Sequence, residues 1–389
     1  MSVKVSLERC DSYNAEKLAA LFEASCAAAG TDVSGLISKK GKRVVIKPNL
    51  VAKKAPGASA TTPPELLEAV ISVFKKYTDD ITVAECPGGP DSRAALDGIF
   101  SVTGVKDVCV RTGAKLNYDM SQTSVRADGL AVSSSIPVLS VIESADVFVN
   151  IGKFKCHSFT TLTGAAKNLY GVIPGLEKVE THARFPSVET FSEFVCDINA
   201  AVKPDISILD AVSVMEGNGP TAGTPRFMGV FGVSSSATAL DCAMTRLVSL
   251  DPERIPILAA ASARSMIPEY EIISHDPALA ALEPVITDIV MPDSKKSTIN
   301  LLTNSFGGFF AKRLAPRAYI DPERCVGCGE CMRLCPRSAI DLVPRKKTGG
   351  SKNYCVIRKK DCIKCFCCQE LCLRKAVDTK VNPVFSLFG

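Results

Sequence analysis

The chain of 389 residues contains no tryptophan, three histidines and only 6% aromatic residues. No basic stretch is interleaved with aromatics, so the chain lacks the stacking platforms on which single-stranded nucleic acids are held, and nucleic acid is excluded as a partner. No run of 18 or more uncharged apolar residues occurs, which excludes an ordinary membrane span. Residues 1–30 lack a basic segment followed by an apolar core and a cleavage site, so a cytoplasmic protein is expected. Neither sign of charge dominates: 46 Lys plus Arg face 41 Asp plus Glu, and 46% of residues are hydrophobic, which excludes a largely disordered chain. What the chain has in excess is cysteine, with 17. Cytosolic thiols stay reduced, so metal ligation rather than disulfide bonding is the expected use.

The cysteines are unevenly placed. Seven lie between Cys10 and Cys242 and ten between Cys325 and Cys372. Charge divides at the same place, since residues 316–389 hold 15 basic and 7 acidic side chains, net +8, leaving net −3 for residues 1–315. Two domains are expected, 1–315 and 316–389. The phenylalanines of the segment 303–315 (Phe306, Phe309, Phe310) suggest a packed linker. In the larger domain, β-branched runs at Val3–Leu7, Arg43–Ile46, Ile81–Ala84, Asp107–Val110, Asp146–Ile151, Ile206–Leu209 and Met228–Val233 read as strands. Helical patterns at Ala15–Ala29, Pro63–Tyr77, Ser92–Phe100, Ser187–Val202 and Ala237–Ser249 lie between several of them, with Thr62 as the expected cap of the second. Such alternation predicts an α/β domain with a mostly parallel, layered sheet, whose ligands sit at the carboxyl ends of the strands.

The strongest signal is a duplicated spacing. Cys325-x2-Cys328-x2-Cys331-x3-Cys335-Pro336 is followed by Cys362-x2-Cys365-x2-Cys368-x3-Cys372. The two runs resemble bacterial-type ferredoxins with two [4Fe–4S] clusters, over about residues 316–380, and imply a small α+β ferredoxin-type domain. By that resemblance Cys325, Cys328, Cys331 and Cys372 hold one cluster, and Cys362, Cys365, Cys368 and Cys335 the other. Tetrahedral zinc also takes thiolates, but zinc sites seldom use eight ligands in two copies of a three-plus-one pattern. Cys355 and Cys367 are surplus and read as small apolar filler. The insertion Arg345–Lys352 reads either as a solvated hairpin tip or as a dock for an acidic soluble electron donor or acceptor such as a separate ferredoxin. Two cubanes of about −2 each would offset about half of the +8.

Four loops after strands in the larger domain hold polar residues that a plain core does not require. They are Lys47-Pro48-Asn49; Thr61-Thr62-Pro63, opening a helix whose N–H groups suit an anion; Glu85-Cys86-Pro87-Gly88-Gly89; and the run from Asn150 to Asn168. In that last run Lys153, Lys155 and His157 share one face of an extended stretch, and Lys167 closes over it. Cations around an imidazole suit an anionic small-molecule substrate, with His157 as general acid or base. The alternative is a strand end whose lysines reach solvent. Met215-Glu216-Gly217-Asn218 forms a further turn at a strand end, exposing Glu216 and Asn218.

Taken whole, the sequence resembles a prokaryotic family with an α/β domain of unknown function, often fused at its carboxyl end to a two-cluster ferredoxin module. The likeness is carried by Lys47-Pro48-Asn49-Leu50-Val51, Thr61–Glu65, Leu162–Gly171 and Met215–Pro220. It implies an anaerobic-type redox protein. Expected functions are an oxidoreductase passing electrons between clusters and a bound anion, or an electron-carrying adaptor whose α/β domain only binds. A redox-sensing non-redox enzyme ranks third.

Overall fold

The computed structural model describes residues 2–88, 92–175, 177–294, 316–345 and 353–380. The expected linker phenylalanines, the boundary at 315, residues 346–352 of the basic insertion and Gly89 lie outside these described residues.

Nine strands of the larger part form one mixed sheet: β1 (Val3–Arg9), β2 (Val44–Lys47), β3 (Ile81–Val83), β4 (Lys115–Leu116), β7 (Val147–His157), β8 (Thr161–Thr163), β9 (Ile206–Glu216), β10 (Thr224–Ser234) and β11 (Tyr270–Ile273). A separate hairpin pairs β5 (Gln122–Val125) with β6 (Ile136–Leu139). The sheet order is β11-β1-β10-β9-β7-β2-β3-β4, with β8 folded back on β7. Neighbours from β9 through β7, β2 and β3 to β4 are parallel, as are β1 and β11; β1–β10, β10–β9 and β7–β8 are antiparallel. The α/β expectation with mostly parallel strands holds.

Alternation along the strands makes two cores. Val44, Ile46, Val147, Val149, Ile206 and Ile208 face one side, where the helices Ala15–Ala28, Pro64–Lys75 and Arg93–Val102 contribute Phe22, Phe74 and Phe100. Val45, Phe148, Phe154 and Leu209 face the other, against the helices Val188–Ala201 and Ala237–Arg246. Both faces are therefore covered by helices, as a parallel sheet requires.

Three local expectations are corrected. Asp107–Val110 lies in a helix, Val105–Thr112, because Val105, Val108 and Cys109 are buried at helical spacing while Val110 is 76% exposed. Helix Pro64–Lys75 begins after Pro63, and Thr62 does not cap it; the Thr62 hydroxyl instead accepts the Asn49 N–H at 2.8 Å. Strand β7 runs to His157, six residues beyond the expected end, and all eleven of its residues are buried.

The C-terminal residues have a core of their own, built from Ala318, Ile320, Ile340, Phe366 and Val377. Around it β12 (Arg317–Ile320) pairs with β15 (Val377–Lys380), and β13 (Ile340–Pro344) with β14 (Asn353–Ile357).

Candidate functional site

Pairing between β2 and β7 ends at Lys47 opposite Asn150, so β7 projects past its parallel neighbour and carries Lys153, Lys155 and His157 into the region beyond the strand ends. Strand β8 returns along it, pairing Thr163 with Lys155 and Thr161 with His157. The short helix Ala165–Asn168 follows, held by Asp241, whose carboxylate accepts the N–H groups of Ala165 and Ala166 at 2.6 and 2.9 Å. Gly164 makes that grip possible, since a Cβ there would collide with the Asp241 carboxylate.

The lysines here do not reach solvent. Lys47, Lys153 and Lys155 are among the largest fully buried side chains. Lys47 lies 2.5 Å from Glu85, over Gly171, where any Cβ would strike both partners. Burial lowers the Lys47 ammonium and raises the Glu85 carboxyl, each partly restored by the other. Lys153 donates to Asp210 at 2.7 Å and to the Tyr13 hydroxyl at 2.8 Å, and that hydroxyl in turn donates to Asp210. Lys155 has no carboxylate at its amine: it donates to Asn49 Oδ1 at 2.7 Å and to the Ala60 carbonyl at 2.5 Å. Burial lowers its pKa well below that of an ordinary lysine, and the neighbouring Lys167 and Lys153 add to the effect.

Lys155 borders a small cavity of ≈ 90 Å³ together with Asn49, Glu85, Lys167, His182 and, unexpectedly, Glu370 from the C-terminal module. Glu370 stands on the helix Cys367–Leu371, and its Oε1 approaches His157 Nε2 at 3.1 Å. Thr221 fixes this helix by donating its hydroxyl to the Glu370 carbonyl at 2.9 Å, and a Cβ at Gly88 would sit 3.6 Å from the Leu371 side chain. Burial alone would raise the Glu370 carboxyl, but His157, Lys167 and His182 pull it down to about 2. His157 is held at about 4 by burial and by Lys167, against the pull of Glu370. Its Nδ1 accepts the N–H groups of Phe159 and Thr160, so the neutral ring carries its proton on Nε2, toward Glu370, although the two are not aligned for a hydrogen bond. His182, stacked on Phe191 at 4.8 Å, is likewise held at about 4 by burial.

Of the expected residues, Asn49, Gly88, Lys155, Lys167 and Asn168 line the cavity, and His157 stands behind Glu370. Lys47 and Lys153 are consumed by their carboxylates. Thr61 and Thr62 are buried outside the lining, Thr62 engaged with Asn49. Glu216 and Asn218 are elsewhere: Glu216 lies 3.1 Å from Arg226 and accepts the Val290 N–H, while Asn218 pairs reciprocally with Asp293. Both fasten the 288–293 segment to the end of β9, although that end stays beside β7, with Met215 paired to Lys155. Sequence reasoning placed Glu85 in a candidate loop without giving it a role, and it missed Tyr170, Lys178, His182 and Glu370 as lining groups. One signal for Glu370 was present, since aligning the two cysteine runs puts Arg333 opposite it. Arg333 has a side chain 58% exposed, whereas that of Glu370 is 18% exposed.

The two cysteine runs repeat each other in backbone as well as in sequence. Gly327 and Gly329 have positive φ, and so do their counterparts Lys364 and Phe366, which are not glycines. Cys325 accepts the N–H of Gly327 and Cys362 that of Lys364; Cys335 accepts the N–H of Ala339 and Cys372 that of Ala376. Backbone N–H groups aimed at sulfur stabilise thiolates, the ligand form for iron. Among the described residues no three His, Cys, Asp or Glu side chains converge as on a single metal ion. No helix among them is long and apolar enough to cross a membrane.

Comparison with known proteins follows the same division. Residues 44–246 match the family described as "Domain of unknown function (DUF362)", and residues 318–341 match a "4Fe-4S binding domain". A thylakoid-associated protein of Synechocystis sp. is 30% identical over 302 residues, covering 75% of this chain and 90% of that protein. Among solved structures, the lactate racemase apoprotein from Thermoanaerobacterium thermosaccharolyticum aligns at 16% identity and a TM-score of 0.39, covering 59% of this chain and 54% of the racemase. A Thermotoga maritima protein aligns at 10% identity and a TM-score of 0.30, covering 67% and 60% respectively.

Proposed function

This chain belongs to the DUF362 family and is an iron–sulfur protein with a 4Fe–4S binding domain, and from that premise we propose that it is a two-cluster oxidoreductase acting on a small anion. The observation that carries the reading is the position of Glu370. It lies between Cys368 and Cys372 on one short helix, and it closes the cavity bordered by Lys155, Lys167 and Lys178. The repeated N–H···S contacts and left-handed turns support two equivalent cluster-binding runs, and the resemblance to two-cluster ferredoxins assigns Cys325, Cys328, Cys331 and Cys372 to one cluster and Cys362, Cys365, Cys368 and Cys335 to the other. Bound there, the clusters would supply single electrons.

The chain's own residues do the rest. Lys167 and Lys178 give the cavity its positive charge. Neutral His157, with its proton on Nε2, faces the Glu370 carboxylate that closes the cavity. A soluble donor such as a separate ferredoxin would reduce the exposed module, on which Cys328 is exposed.

Anaerobically purified protein should contain about eight iron and eight sulfide per chain. Dithionite-reduced protein should then be reoxidised by members of a panel of small carboxylates and oxoanions, and Lys167→Gln should slow this at least about tenfold at unchanged iron content, the loss of one charged contact. About four iron per chain would refute the second cluster. Reoxidation by no member of the panel would favour an electron-carrying adaptor instead.

A further inference from the structure

The cavity read above as a substrate site also carries a residue equipped for covalent chemistry. Of the three fully buried lysines at these strand ends, Lys47 and Lys153 each have a carboxylate partner, and Lys155 has none. Its two partners can only accept. A chain of amides fixes this: Asn150 donates to the Ala165 carbonyl, Asn168 donates to Asn150 Oδ1 and to the Ile151 carbonyl, and Asn49 donates to Asn168 Oδ1. Carbonyls can only accept, so every amide in the chain has one orientation, and Asn49 must turn Oδ1 to Lys155. A neutral amine has two N–H bonds and one lone pair. Asn49 Oδ1 and the Ala60 carbonyl satisfy both N–H bonds, and the lone pair is left over on a side chain that borders the cavity. An ammonium would bring a third N–H and a charge whose neighbouring carboxylates, Glu85 and Glu370, are engaged with Lys47 and His157 instead.

The cavity itself supplies an independent observation. Thr163 and His182 belong to its lining, and Thr163 Oγ1 and His182 Nδ1 are buried with no hydrogen-bond partner. Buried polar atoms without partners are costly in a finished core and ordinary in a site waiting for a ligand. Lys167 and Lys178 add positive charge to the same lining.

Deepening the reading of this cavity as an anion site, we propose that Lys155 forms an imine with small 2-oxo acids, whose carboxylate lies toward Lys167 and Lys178. The Nζ lone pair attacks the carbonyl carbon and forms the C–N bond, and the carbonyl oxygen takes up a proton to give a carbinolamine. Loss of that hydroxyl, with the two former N–H hydrogens leaving in water, gives C=N. Amine and ketone thus yield imine and one water, with no electron exchanged. Thr163 and His182 are the groups free to hydrogen-bond the oxygen that leaves.

The test is reductive trapping. Intact protein with its iron, held anaerobically, is incubated with pyruvate, glyoxylate or acetaldehyde and sodium cyanoborohydride, and the adducts are mapped by peptide mass spectrometry. At pH 7.4 an ordinary lysine is a free amine about one part in a thousand, so labelling of Lys155 should exceed that of exposed Lys115 by at least about a hundredfold. The 2-oxo acids should outpace acetaldehyde, and Lys167→Gln should remove that preference. Labelling of Lys155 no faster than that of Lys115 in the unmutated protein overturns the proposal, without reliance on any variant's folding. Labelling that persists at the same peptide in Lys155→Arg overturns it too. Reoxidation of reduced protein by an anion with no Lys155 adduct would sink the imine and spare the oxidoreductase reading; a Lys155 adduct without any reoxidation would do the reverse.

Discussion

Replacing Glu370 by glutamine keeps the side chain's shape and removes its charge from beside His157, Lys167 and His182. The magnitude follows from the carboxyl group itself. Of the groups that lower it only Lys167 is charged at neutral pH, so its ionised form is favoured in the docked module by one charged contact, about 1–3 kcal/mol. The side chain is only 18% exposed, so solvent screens little of this. Glutamine should therefore weaken the seat of the cluster helix by up to about 3 kcal/mol, a factor of about 150 in the population of undocked module. What remains is the Thr221 bond to the Glu370 carbonyl and the packing of Leu371 over Gly88. The assay is hydrogen exchange by mass spectrometry on the peptide spanning Thr161 to Asn168, with iron content as the control for an intact module. Exchange there should accelerate by up to about a hundredfold, because these residues form the cavity wall that the helix closes. Adding Thr221→Val should give a non-additive effect, since both contacts hold one helix. Exchange within about threefold of the parent, at equal iron, would refute the claim that this carboxylate docks the module.

Two further outcomes follow from the same geometry. His157 and His182 are held at about 4, below an ordinary 6.5, so the unfolded chain takes up protons first as pH falls, and stability present above 6.5 is lost between 6.5 and 4. From pH 7.5 to 5.5 each should cost about 1 kcal/mol, and thermal melts of His182→Phe, which keeps the stack on Phe191, should show a visibly smaller acid shift than the parent; an equal shift would sink this account. Gly164→Ala drives a methyl into the Asp241 carboxylate and should destabilise by about 1–3 kcal/mol in urea titrations, whereas Gly57→Ala, with open space around it, should stay within about 0.5 kcal/mol; equal effects would show that the clamp on the Lys167 helix tolerates displacement.

How much of this was legible in the sequence depends on whether the cause was local. Strand alternation and the doubled cysteine spacing are local patterns, so the layered sheet and the iron–sulfur module could be read directly. Asp107–Val110 was misread because β-branching suggests a strand, while the burial of Val105, Val108 and Cys109 at helical spacing decided the outcome. The loops after β2, β3 and β7 could be identified as site-bearing, yet the role of each lysine could not. Lys153 and Lys155 share a face and differ only in what stands opposite: Asp210 from β9 for one, Asn49 from the β2 loop for the other. Both partners are more than fifty residues away, and no pattern along β7 announces them. The same holds for Glu216 and Asn218, whose turn was visible and whose engagement with Arg226 and Asp293 was not.

Glu370 joins the two halves of the molecule by a related asymmetry. A duplicated cysteine spacing has no internal reason to place opposite charges at matching positions, because the two runs repeat the same backbone and the same cysteine pattern. The first repeat carries Arg333, which pairs with Glu330 at the surface. The second carries Glu370, placed against His157 beneath the α/β domain. Burying a carboxylate is costly unless cations or donors meet it, so this glutamate is stable there only because Lys167 and two histidines already face the gap. The converse holds for those groups, since without Glu370 the Lys167 ammonium would face a cavity whose other carboxylate, Glu85, is already paired with Lys47. The cationic wall and the acidic helix are thus each incomplete alone. That mutual dependence places the helix that carries Cys368 and Glu370 at the mouth of the cavity, where the cluster-bearing module meets the α/β domain.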